Sequence, residues 1–147
     1  MKSDDPDRFF RPGQISRDGF LGTDRRAVRE IVREDGETLK RIGLSTEAVA
    51  DILQSLIDAA KQGLEGPVDA GDWIVRLDWA RGLVPCPFGE RRLQPKITLE
   101  AVRKGSGETI LFSQLSVHLI REHGFFGGAG SVFRIEPESA AAWIRGI

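Results

Sequence analysis

The chain has 147 residues, of which 40% are apolar and 29% charged, with 17 Gly, no Tyr, one Cys and two His. That length suits one domain able to bury roughly two-thirds of its unfolded surface, so no disulfide staple or metal is required for a core. One Cys excludes an intramolecular disulfide. Residues 1–65 carry 11 Lys/Arg against 13 Asp/Glu and residues 66–147 carry 10 against 9, so neither half has the basic excess of a typical nucleic-acid binder.

Residues 1–22 read as an extended N-terminal arm with a frayed start, anchored by Phe9-Phe10. Thr23 is a candidate N-cap, with Asp24 favourable at the positive end of a helix dipole. Val28, Ile31, Val32, Leu39 and Ile42 then share a helical face, and Gly36 leaves open whether helix 24–42 is continuous. In 46–62, Val49, Ile52, Leu53, Leu56, Ile57 and Ala60 follow the i, i+3, i+4 rule, with Ser45 as cap and Gly63 as stop. Segment 23–65 is therefore expected to form a helical hairpin. The broad apolar face of 49–60 could also support a homodimer.

After Gly66-Pro67 the period changes to two. Trp73, Val75, Leu77 and Trp79 alternate with polar neighbours as in a half-buried strand. Residues 81–90 read as a loop, because Pro85 and Pro87 would remove ladder donors. Strands at 96–104 and 108–112 flank a Gly105-Ser106-Gly107 turn. Ser113 caps a helix through about His123, Gly127–Ser131 is a loop, Val132–Ile135 a short strand, and Pro137 opens a last helix. The expected class is α+β in one domain, 1–147: a helical hairpin, then a 66–147 unit with a small, mainly antiparallel sheet and two more helices, in the order α-α-β-β-β-α-β-α.

Chemistry is confined to few places. His118 and His123 lie in Leu115-Ser116-Val117-His118-Leu119-Ile120-Arg121-Glu122-His123. Five helical residues turn about 500°, so the two rings should diverge by about 140° unless the last turn unwinds at Gly124. This stretch resembles the closing half of a two-cysteine, two-histidine zinc finger, which implies His118 and His123 as zinc ligands. No cysteine pair precedes it, and Cys86 stands 32 residues before His118. A zinc ion would need Cys86 and one carboxylate, Glu122 or Glu90, to complete four ligands.

Without metal, Cys86 with His118 or His123, and Glu122 as orienter, is the one cysteine–histidine constellation the composition permits. The alternative for Cys86 is a small buried apolar side chain. A sulfur–imidazole separation under about 4 Å would mark a site; more than about 10 Å would remove both chemistries.

Arg91, Arg92, Phe126, Gly128, Gly130 and Ser131 are candidate ligand-binding residues. Gly128, Gly130 and Ser131 could present amides to an anion. Arg25, Arg26, Arg29 and Arg33 form a basic run, yet Arg26–Glu30, Arg33–Glu37 and Glu37–Arg41 have salt-bridge spacing. The leading expectation is a bacterial-type cytoplasmic, non-enzymatic binding protein with no cofactor, whose partner is a protein or small molecule. A small enzyme or zinc metalloprotein is the alternative, and weak binding of nucleic acid or an acidic partner through the Arg clusters is the second. The start is acidic and has no signal-peptide stretch, and no run is long enough for a bilayer.

Overall fold

A computed structural model describes residues 6–15, 18–63 and 66–145. The expected frayed start lies mostly outside these residues. After a single helical turn at Arg8–Phe10, the elements are α1 (Val28–Ile42), α2 (Thr46–Ala60), β1 (Val68–Ala70), β2 (Trp73–Pro85), β3 (Leu93–Arg103), β4 (Thr109–Ser113), α3 (Gln114–His123) and α4 (Pro137–Arg145). The class is α+β, with four helices beside a four-stranded antiparallel sheet in the order β1-β2-β3-β4. No helix among the described residues is long and apolar enough to cross a membrane.

Alternation along the strands decides which face is covered. Val75 stands opposite Ala101, Leu77 opposite Leu99, and Leu99 opposite Phe112. These residues meet Val49, Leu53, Leu56 and Ile57 of α2 and Val117 and Ile120 of α3 in the main core. The α2 face proposed for dimerisation is thus buried within the chain. A second core packs Phe10, Leu21, Val28 and Ile31 against Cys86, Leu115, Leu119 and Phe125. Helix α3 lies between the two cores, which explains why six of its ten residues are buried.

Several boundaries differ from the sequence reading. Helix α1 starts at Val28, because Asp24 bonds Arg26 and the Ala129 amide instead of capping a helix. The first-turn amide of Val28 donates to Asp7 Oδ2 at 3.1 Å. The helix runs unbroken through Gly36. Arg26 pairs with Asp24 and Glu34 rather than Glu30, and Arg41 with Glu138 rather than Glu37, while Arg33–Glu37 forms at 3.7 Å.

Strand β2 continues to Pro85, where a loop was expected. A register shift between Ala80 and Leu83 absorbs the irregularity, and Leu83, Val84 and Pro85 pair with Pro95, Gln94 and Leu93. In the registers formed, β1 reaches only Val75 and β4 only Thr98, so this distal ribbon has open outer edges on which proline is tolerated. The ribbon carries the 86–92 connection to the C-terminal end of α3.

Residues 132–135 form turn and coil rather than a strand. Ile135 makes one strand-like bond, donating to Phe126 O, and the segment is otherwise held by Arg134.

Candidate metal centre

Cys86 leaves the end of β2 between Pro85 and Pro87, and Glu90 follows one turn later, closed by the Gly89 amide donating to Cys86 O at 3.1 Å. Gly89 takes φ +91°, a left-handed conformation that most side chains disfavour, and this turns Glu90 back toward the sulfur. The two histidines come from α3. Ser113 caps its start, accepting from the Ser116 amide at 3.0 Å, while the Ser116 hydroxyl accepts from the Ser113 amide. This box sets where the helix begins and therefore where His118 and His123 sit.

One ligand-type atom from each of Cys86, Glu90, His118 and His123 lies within 4.8 Å of the others. Cys86 Sγ is 3.6 Å from His123 Nε2. Glu90 spans both rings, with Oε2 3.1 Å from His118 Nε2 and Oε1 against His123 Nε2. Around a tetrahedral zinc, bonds of about 2.0–2.3 Å place neighbouring donors roughly 3.3–3.8 Å apart. The four groups are therefore close to the spacing one ion requires.

His118 Nε2 is buried and has no hydrogen-bond partner, since the Glu90 oxygen beside it lies outside hydrogen-bonding geometry. Its side chain is 6% exposed, and a buried imidazole nitrogen that makes no hydrogen bond is free to ligate a metal ion.

Burial pushes the Cys86 thiol above its ordinary value near 9.0. The Phe88 amide opposes this by donating to the sulfur, the Glu90 carboxylate adds to it, and the Glu90 amide again opposes it. Two backbone donors thus point at a sulfur that stays protonated at neutral pH unless a cation joins it. The residue is 2% exposed, which closes it to a substrate as a nucleophile.

The divergence expected of rings five residues apart does not occur, although α3 remains helical through His123. The ring centroids are 5.5 Å apart at 75°. The helical-wheel angle describes Cβ directions, whereas His123 ends the helix and no following turn blocks its ring from swinging back. Phe88 fixes that ring, stacking on it at 4.1 Å and 14°, and Phe10 packs edge-on against Phe88 at 4.7 Å.

The remaining candidates separate from this centre. Glu122 faces Arg92 at 3.9 Å, and the carboxylate at the cluster is Glu90. Arg91 and Arg92 are exposed on the same loop. Phe126 belongs to the main core. The Gly-rich loop packs on the N-terminal arm: the Gly128 amide donates to Phe20 O, the Ala129 amide to Asp24 Oδ2 and the Ser131 amide to Gly128 O. The Gly128, Ala129 and Ser131 amides are thus engaged within the chain rather than turned toward an anion.

A Cβ on Gly128 would stand 2.2 Å from Leu21 O. Gly128→Ala is expected to cost about 1–3 kcal/mol, as overpacking does, read as a lower midpoint in urea. A cavity of about 390 Å³ is lined by Phe20, Val84, Ile97, Leu115 and Phe133 among others, and none of the four clustered residues borders it.

No family model, curated protein or solved structure matches this chain.

Proposed function

We propose that this protein is a zinc-binding protein in which Cys86, Glu90, His118 and His123 hold one ion, tying the β2–β3 loop to the end of α3. The observation that carries this reading is the buried His118 Nε2, which makes no hydrogen bond, placed among three other donor atoms, all within 4.8 Å. One thiolate, two imidazoles and one carboxylate make a donor set suited to zinc. The set supports a metal-held binding domain better than a thiol enzyme, because the sulfur is buried and its pKa is raised.

Zinc titration against a chromophoric chelator tests it. The protein is expected to take up one ion per chain. Cys86→Ala and His118→Ala each weaken uptake at least tenfold, and Glu122→Gln leaves it unchanged. Because the thiol is protonated beforehand, uptake at pH 7 releases about one proton from Cys86, and affinity falls as pH falls. Calorimetry in buffers of different ionisation enthalpy reads that proton. Equal zinc uptake by wild type and Cys86→Ala contradicts the reading.

A further inference from the structure

The four groups are not equally enclosed. Cys86 is 2% exposed, the His118 side chain 6% and the His123 side chain 19%, whereas the Glu90 side chain is 33% exposed. The sulfur and the two imidazoles are fixed by the second core, by α3 and by the Phe88 stack. Glu90 sits on an irregular loop just after Gly89, and the interactions the structure gives its carboxylate are with the two histidines. It therefore covers the solvent side of a three-donor cup.

A carboxylate that closes the site from solvent is chemically equivalent to a carboxylate arriving from solvent. The adjoining charge favours such a visitor: Arg91 is exposed and has no ion pair among the described residues, and Arg92 has only a 3.9 Å contact with Glu122.

Resting on the zinc reading above, we propose that Glu90 is an exchangeable ligand, and that a small exogenous carboxylate takes its place on the metal held by Cys86, His118 and His123. Zinc sites with three protein donors and one exchangeable position are the reactive kind, whereas four fixed donors make a structural one.

Cobalt(II) in place of zinc separates this proposal from the reading it rests on. The thiolate-to-cobalt charge-transfer band reports the metal held by Cys86, and the visible d–d bands report the exchangeable position. Acetate, and acetohydroxamate as a chelating analogue, are expected to shift the d–d bands while the charge-transfer band persists. If Glu90 occupies the position about nine-tenths of the time, Glu90→Ala tightens the apparent acetate affinity roughly tenfold, since no internal competitor remains. Glu90→Gln, closer in shape, moves it in the same direction.

If acetate and acetohydroxamate leave the d–d bands unchanged in wild type and Glu90→Ala while the charge-transfer band is present, the exchange is overturned and the zinc reading stands. Loss of the charge-transfer band on adding either probe also overturns it, because the probe then removes the metal. Inorganic phosphate acting at lower concentration than acetate overturns the carboxylate assignment. A charge-transfer band that never forms overturns both proposals.

Discussion

Removing zinc with a chelator is expected to lower the thermal midpoint by about 8–16 °C. A ligand bound only by the folded chain at about 1,000 times its dissociation constant adds roughly 4 kcal/mol. For a chain near 150 residues, each kcal/mol corresponds to roughly 2–4 °C. The effect is large here for a structural reason. The ion would join the 86–92 loop, which connects β2 to β3 at the tip of the distal ribbon, to the end of α3, and α3 lies between the two cores. Its removal leaves His118 Nε2 without a hydrogen bond and the Glu90 carboxylate against a buried thiol. Scanning calorimetry before and after chelation measures the shift, and readdition of zinc restores it. The same chelator acting on His118→Ala should change the midpoint by less than about 2 °C, as that variant has little metal to lose.

The second large effect concerns the pair that fixes the 127–136 connection. Arg134 holds Asp35 through two nitrogens, at 2.5 and 2.9 Å, and donates to Gly127 O at 2.8 Å. Both side chains are deeply placed, 12% and 8% exposed. Burial opposes the charge on Arg134, but hydrogen bonds from it to Asp35 and Glu136 keep the guanidinium above its ordinary pKa.

Arg134→Leu strands Asp35 on α1 as a buried charge, which costs roughly 3–5 kcal/mol, or about 6–20 °C in the midpoint. The double variant Asp35→Leu/Arg134→Leu removes both charges. It should recover most of that loss, leaving the missing Gly127 contact as the residue. Denaturant melts of the two single variants and the double variant form the cycle. A double variant no more stable than Arg134→Leu would show that packing, rather than the stranded charge, sets the effect.

Local rules carry well where one force dominates. Helix α2 follows its apolar spacing and its Ser45 cap, whose oxygen accepts from the Ala48 amide at 3.1 Å. Helix α3 begins directly after its Ser113 cap and ends at His123 before Gly124, as those residues require. The β3–β4 pair follows its alternation around the 105–107 turn. Rules fail where distant segments compete for the same group. Asp24 has good helix-start chemistry, but the Ala129 amide and Arg26 claim its oxygens, so α1 begins four residues later. Val132–Ile135 has strand composition, yet it pairs with no strand of the sheet.

The candidate site divides in the same way. Scarcity of thiol and imidazole singles out Cys86, His118 and His123 from the sequence. The choice between Glu90 and Glu122 is set by the turn at Gly89, a backbone angle that spacing does not encode. Glu122 is the sequence neighbour of His123, but its helical position sends it outward to Arg92. The Gly-rich loop has the composition of an anion site, and its glycines instead allow backbone to approach backbone, as Gly128 does with Leu21.

Zinc-edge X-ray absorption on protein purified without an affinity tag reads whether one metal ion sits on one sulfur and three nitrogen or oxygen donors. The expected first shell has one sulfur at about 2.3 Å and three nitrogen or oxygen atoms at about 2.0–2.2 Å, two with the outer-shell scattering of imidazole. A first shell without sulfur, or protein that retains no stoichiometric zinc after loading and desalting, would contradict it.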